Sequence, residues 1–329
     1  MDSEMLDMLR TSLEHVLTEE STQPLSQRLD ELGWSEVLDD DAPSALKALF
    51  EVKGRTLSAA DALGPLLATT IASVLGDETV GGATVLLPST LSANDRTTID
   101  AAGALTVDGV VFAVPGAGTP VLAPVAAYNG TALALVTMAD NATVDQLRNT
   151  DANLGLSRVQ FSVPSSDVTW FTGPEATQAW DAAVAIGRWT LSAELLGAAR
   201  HVIAEAAAYT GQRIQYGKPI GTFQALQHRL ASAHSSVTGA SHVIDEAAVT
   251  GSPWTATVAK TLAGRAAEFA CTQAQQCYGA IGFTWEHEFH RSLRRIYQLD
   301  RVLDGYRTLE VEIGKQLLAQ KSVPKIGAF

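Results

Sequence analysis

The sequence predicts an α+β chain in three successive parts: a helical segment at 1–80, a β segment at 81–172 and a four-helix bundle at 173–329. Three observations carry this expectation. Apolar residues recur at three- and four-residue intervals over the first eighty positions. Short β-branched runs, separated by Gly, Pro, Asn and Asp, fill the middle. From Pro174 the helical spacing returns and persists in four long, Ala-rich stretches with short connections.

Composition narrows the function classes. Of 329 residues, 46% are hydrophobic but only 6% aromatic, so Ala, Leu and Val carry the apolar content and favour closely packed helices. The net charge of −13 repels phosphate backbones, which argues against general nucleic-acid binding. A local basic cluster can still hold one phosphorylated ligand. Cys271 and Cys277 lack the second pair that a zinc site needs, and their helical setting suggests small core residues in a reducing compartment. The N-terminus, MDSEMLDMLRTSLEHVL, is acidic and amphipathic, unlike a secretory leader. No uninterrupted apolar run is long enough to span a bilayer, so a soluble, cytoplasmic protein is expected.

Taken in order, Met5, Leu6, Leu9, Leu13, Val16 and Leu17 form one helix face. Leu29, Leu32 and Trp34 follow, with Gly33 placed to end a helix. Asp39, Asp40 and Asp41 predict a loop before the amphipathic SALKALFEVKGRTL. ADALGPLLATTIASVLG predicts a buried helix, with Gly64-Pro65 at its start or at a kink. The runs ATVLLPS, ALTVDGVVFAVPG, PVLAPVAAY, TALALVTM and RVQFSV predict strands, and Asp108-Gly109 predicts a hairpin turn. Residues 176–210, 223–248, 253–279 and 289–320 predict the bundle helices.

One stretch interrupts that bundle. QRIQYGKPIGTFQALQHRLA, residues 212–231, places Arg213 and Lys218 around Tyr216, then breaks the helix with Gly217, Pro219 and Gly221. A second unusual segment, QCYGAIGFTWEHEFHRSLRR, occupies 276–295. The first resembles the acyl-CoA dehydrogenase signature R-x-Q-F-G-K-P-I-x-x-F-Q-x-x-Q-x-x-L-A. The second resembles that family's Q-x-x-G-G-x-G-F-T-x-E. The likeness extends to the order helices, β domain, four-helix bundle, and is strongest over 176–305.

The resemblance implies an acyl-CoA dehydrogenase-like fold, FAD as cofactor and α,β-dehydrogenation of an acyl-CoA thioester. It also implies that the basic turn reaches across a subunit interface to the diphosphate and adenosine of an FAD held mainly by a neighbour. Matching positions assign such contacts to Arg213, Tyr216, Gln224, Gln276 and Gly279, with the adjoining backbone of Cys277, Tyr278 and Ala280. A guanidinium suits phosphate through its planar, bidentate donors. Ala280 departs from the pattern, standing where the family has a second glycine.

Other departures are one-sided. The family's catalytic Glu falls at Leu303 when counted from Phe283 without gaps, and a shift of one aligns Asp304-Gly305 with its E-G. The alternative base position falls at Gly187, next to Arg188, which matches a family arginine and is a candidate substrate contact. The flavin-holding T-E-P-x-x-G-S-D loop and the later Trp-bearing strand have no counterpart in VLLPSTLSANDRTTIDAAGALTVDGVVFAVPG. The chain thus resembles the non-catalytic β-type subunits of actinobacterial α2β2 acyl-CoA dehydrogenases, whose substrates include steroid side-chain CoA thioesters. Such a subunit serves a catalytic α partner that supplies the base. Two rival readings are a self-sufficient homo-oligomeric dehydrogenase using Asp304 as base, and a scaffold without flavin contacts.

His287 and His290 lack a third ligand and the i, i+4 spacing of a helical metal site, so no metal is expected. Gly116, Gly118 and Pro120 follow a strand without a following helix, which is not a dinucleotide fingerprint. The Ser/Thr-rich 89–106 stretch has no G-x-S-x-G.

Overall fold

The computed structural model describes residues 1–21, 23–88, 97–99, 104–127, 130–147 and 151–324. The residues form two compact units, one comprising 61–187 and the other 1–60 with 188–329. Among the described residues, no helix is long and apolar enough to cross a membrane. The fold is of the α+β class expected from the sequence.

The first unit is built on period-two burial. After helix α4 (Leu63–Leu75), strands β1 (Thr84–Val85), β4 (Pro120–Ala127), β5 (Gly130–Thr137) and β8 (Thr169–Phe171) form one sheet in the order β1-β4-β5-β8. Strands β2 (Thr98–Ile99), β3 (Leu105–Val111), β7 (Ser157–Val163) and β6 (Thr143–Gln146) form the other, in that order. Every second residue points into a shared core: Leu105, Val107 and Val111; Val121, Ala123 and Val125; Ala132, Ala134 and Val136; Val159, Phe161 and Val163. The segment after β1 passes between sheets. Leu86 N–H donates to the Leu122 carbonyl, and Leu87 exchanges two 2.9 Å bonds with Val110.

That passage explains why Asp108-Gly109 is not the expected hairpin turn. Both lie inside β3. A Cβ on Gly109 would sit 3.0 Å from Leu86 Cβ, so the crossing strand needs the glycine. Asp108 is buried because Arg158 grips it with Nε at 2.9 Å and Nη2 at 2.7 Å, and Gln160 donates at 2.9 Å.

In the second unit, helix α1 (Ser3–Thr18) packs on α3 (Trp34–Thr56), with the short α2 (Leu25–Asp30) between them in sequence. The expected Asp39–Asp41 loop is only a kink inside α3. Asp41 alone leaves helical geometry, and its carboxylate caps the Ser44 N–H at 3.1 Å. The helices of this unit's bundle are α5 (Gly173–Gln212), which belongs to it from residue 188 onward, α6 (Gln224–Thr250), α7 (Pro253–Tyr278), α8 (Phe289–Arg301) and α9 (Tyr306–Gln320). The 289–320 stretch, expected as one helix, is therefore two. Residues 187–199 of α5 are all buried, as a central helix requires. Its Ala and Gly content permits this, since small side chains let neighbouring backbones approach.

Candidate functional site

The basic interruption folds as a small hairpin at the end of α5. Arg213 N–H donates to the Tyr209 carbonyl at 2.9 Å, and Ile220 N–H returns to the Arg213 carbonyl at 2.9 Å. Between them β9 (Ile214–Gln215) pairs antiparallel with β10 (Lys218–Pro219). The two turn residues, Tyr216 and Gly217, have φ of 54° and 78°. Left-handed geometry at both central positions is the type I′ turn that suits a two-residue hairpin. A tyrosine there is costly, yet its ring is 93% exposed and packs only edge-on to Phe223. Lys218 Nζ lies 4.6 Å from the Phe223 ring centre. Gly221 lets the chain fold back, since a Cβ there would approach the Thr210 carbonyl to 3.1 Å.

The second segment meets the first through aromatic contacts. α7 ends at Gly279, φ 64°, whose N–H donates to the Gln275 carbonyl. The Tyr278 ring lies 5.2 Å from Tyr209, 4.2 Å from His287 and 5.2 Å from Phe289. Tyr209 is one turn before Arg213, so this contact fixes the hairpin against the end of α7. Arg229 of α6 donates to Gln273 of α7 at 2.8 Å and joins the same ends. Arg213, Tyr216, Gln224 and Gln276 are exposed. Among the described residues, the Arg213 guanidinium and the Gln224 and Gln276 amides have no hydrogen-bonding or ionic partner. No heavy atom lies within 4 Å of where a Gly279 Cβ would stand, so its backbone is open to approach. Ala280 is exposed, while Cys277 and Tyr278 are buried. Burial raises the Cys277 thiol and pushes Cys271 up to about 12, so neither is a nucleophile at neutral pH.

His287 and His290 are occupied locally. His287 Nδ1 accepts from Phe289 N–H at 3.1 Å, and His290 Nδ1 lies 2.9 Å from the His287 carbonyl. No group of three His, Cys, Asp or Glu among the described residues is placed to share a metal ion. Most of the 89–106 stretch lies outside the described residues.

A second constellation lies around Arg188 and the α8–α9 corner. Arg188 is buried and donates to Thr257 Oγ1 at 2.8 Å, Asp304 Oδ2 at 3.0 Å and the Leu303 carbonyl at 3.3 Å. Glu312 accepts from Nη1 at 3.5 Å and from Nη2 at 3.3 Å. Leu303 and Asp304 are both left-handed, φ 54° and 75°. Each costs about 1–2 kcal/mol, so the corner is held rather than relaxed. The second holder is Lys260, fully buried, whose Nζ donates to the carbonyls of Asp300 at 2.9 Å and Asp304 at 3.3 Å. Sequence reading singles out Arg188 and Asp304 but misses Thr257, Lys260, Asp300 and Glu312. The available signal is Thr257, Lys260 and Gly264 at helical spacing on an otherwise Ala-rich α7. Gly264 is required because a Cβ would meet Asp300 Oδ1 at 2.2 Å.

Burial lowers Lys260 from 10.5 to about 8, with Asp300 opposing, Arg188 assisting and Asp304 opposing. Between those values the folded chain binds fewer protons than the unfolded one, so this group makes stability rise with pH from about 8 to 10.5. Below that window it contributes a constant cost. Lys260→Met should remove an increment on the order of 3 kcal/mol across it, read as the difference in urea midpoints at its two ends. An unchanged pH slope would contradict the lowered value.

Residues 178–316 match the family model described as acyl-CoA dehydrogenase, C-terminal domain. The chain is 34% identical over 127 residues to acyl-CoA dehydrogenase IpdE2 of Mycobacterium tuberculosis, covering 37% of this chain and 40% of that relative. It thus spans about two fifths of the curated relative it matches. Among solved structures, it superposes on the Tcur3481–Tcur3483 steroid ACAD with TM-score 0.74 and 22% identity, covering 97% of this chain and 99% of that one. It also superposes on the ChsE4–ChsE5 complex of Mycobacterium tuberculosis, with TM-score 0.73 and 20% identity, covering 99% of each chain.

Proposed function

We propose that this chain, whose residues 178–316 match the C-terminal domain of acyl-CoA dehydrogenases, is a member of that family and serves as the flavin-completing, non-catalytic subunit of a heteromeric dehydrogenase. Members of this family are FAD-dependent. The observation that carries the reading is an asymmetry. Groups suited to a neighbour's FAD, namely Arg213, Tyr216, Gln224 and Gln276, are exposed around one aromatic junction. The acid nearest the family's base position, Asp304, is instead committed to Arg188.

The donor set fits the cofactor. The free, planar guanidinium of Arg213 matches diphosphate oxygens. The Gln224 and Gln276 amides offer donor and acceptor to an adenosine, and the Tyr216 ring offers a stacking face. The open backbone over Cys277, Tyr278, Gly279 and Ala280 allows close approach. When bound, FAD supplies the acceptor for the hydride that leaves the substrate's β-carbon. The α-proton passes to a carboxylate of the catalytic α subunit. This chain binds and orients the cofactor's far end and leaves the reacting atoms to its partner. Asp304 would have to break its ion pair with Arg188 before it could take a proton, which disfavours it as the base. Arg188 likewise spends its donors on the chain itself rather than on a substrate.

The two structural relatives described as a steroid ACAD and as a complex support a heteromeric assembly acting on a bulky, steroid-type acyl-CoA, to which we assign an α2β2 stoichiometry. The test is the absorbance spectrum and native mass of the chain, alone and co-expressed with its candidate catalytic partner. A colourless chain alone and a yellow tetramer with one FAD per αβ pair is the expected result. One FAD per chain in a homo-oligomer would overturn the proposal and return attention to Asp304.

A further inference from the structure

We infer that the outer edge of Arg188 is a binding site for a small carboxylate, and that its occupation frees the Leu303–Asp304 corner. This stands apart from the flavin reading, since it requires only this chain. The Arg188 guanidinium faces Glu312 as a parallel fork, Nη1 to Oε1 at 3.5 Å and Nη2 to Oε2 at 3.3 Å. A well-seated arginine–carboxylate fork closes to about 2.7–2.9 Å. Glu312 is tethered to α9 and remains stretched; an untethered carboxylate can close the same fork.

The cation is the fixed member of this site and Glu312 is the replaceable one. Arg188 is pinned by Thr257 Oγ1 and by the Leu303 carbonyl, and its side chain is 10% exposed. The Glu312 side chain is 48% exposed and lies 3.3 Å from Nη2, against 36% and 3.0 Å for Asp304, so Glu312 is the acid that turns to water more readily. Asp304 shares Nη2 with Glu312. A ligand seated on that nitrogen therefore competes with Asp304 as well. Losing that bond removes one of the restraints that keep two non-glycine residues left-handed, and the strained corner relaxes. Lys260 still holds the Asp300 and Asp304 carbonyls from behind, so the response is local.

The experiment is hydrogen exchange of the corner, 302–305, in the full chain at pH 7 during titration with sodium acetate. Sodium chloride at equal ionic strength is the reference. Acetate should accelerate exchange at the corner in a saturable way, and chloride should not. Glu312→Ala removes the competing carboxylate and should lower the acetate midpoint roughly two- to fivefold. Arg188→Lys keeps the charge but lacks the fork, and should abolish the saturable response. Identical acetate and chloride curves, or a wild-type response from Arg188→Lys, would overturn the inference. Neither outcome bears on flavin stoichiometry, so the two proposals fail separately.

Discussion

Arg213→Ala is expected to strip FAD from the co-expressed complex while leaving this chain folded. The guanidinium is exposed, and no partner within the described chain depends on it. Its removal should therefore change stability by no more than about 0.5 kcal/mol. A charged hydrogen bond to a phosphate contributes about 1.5–3 kcal/mol, so the FAD dissociation constant should rise on the order of 10- to 100-fold. Arg213→Lys should fall between, since an ammonium restores the charge without the fork. The measurement is flavin retained after gel filtration, followed by titration of the stripped complex with FAD. A variant that stays fully yellow with unchanged affinity would refute the flavin contact and favour the scaffold reading. Thermal unfolding of the same samples separates that result from simple misfolding.

Some of this was legible in the sequence for a definite reason. The basic hairpin and the Gly-rich end of α7 are local structures, dictated by residues within a few positions of one another. Tyr216-Gly217 between Gln215 and Lys218 makes a two-residue turn with the flanking residues paired across it. The strands and bundle helices likewise announce themselves by period. Features set by distant chain segments were not legible. Asp108-Gly109 reads as a turn until Leu86 is known to cross it and Arg158 to neutralise it. The break between α8 and α9 has no proline; Asp304-Gly305 stands there, and Lys260, forty residues away, draws the Asp300 carbonyl. The Arg188 cluster gathers α5, α7, the corner and α9, so no single window of sequence contains it.

The same limit applies to the most consequential core contact, where a large stability effect is expected. Lys53 of α3 and Glu194 of α5 are 2% and 1% exposed and meet at 2.6 Å. They sit beside a crossing in which the helix backbones nearly touch. A Cβ on Gly54 would stand 1.9 Å from the Glu194 carbonyl oxygen, and one on Gly197 would stand 2.1 Å from that of Glu51. Such closeness leaves little room for water to replace the Glu194 carboxylate beside Lys53. Glu194→Ala should therefore cost about 3–5 kcal/mol, because Lys53 remains buried without its counter-ion. That is a large part of the 5–15 kcal/mol typical of a folded domain. Removing both charges at once, as Lys53→Met with Glu194→Leu, should recover most of the loss, since a packed apolar pair no longer carries the desolvation penalty. Urea midpoints of the single and double variants measure the coupling directly. Additive losses would mean that each charge is solvated independently and that the crossing is looser than it appears. A strong coupling would tie the core to function, because α5 is the helix that carries Arg188 in its middle and delivers Arg213 at its end.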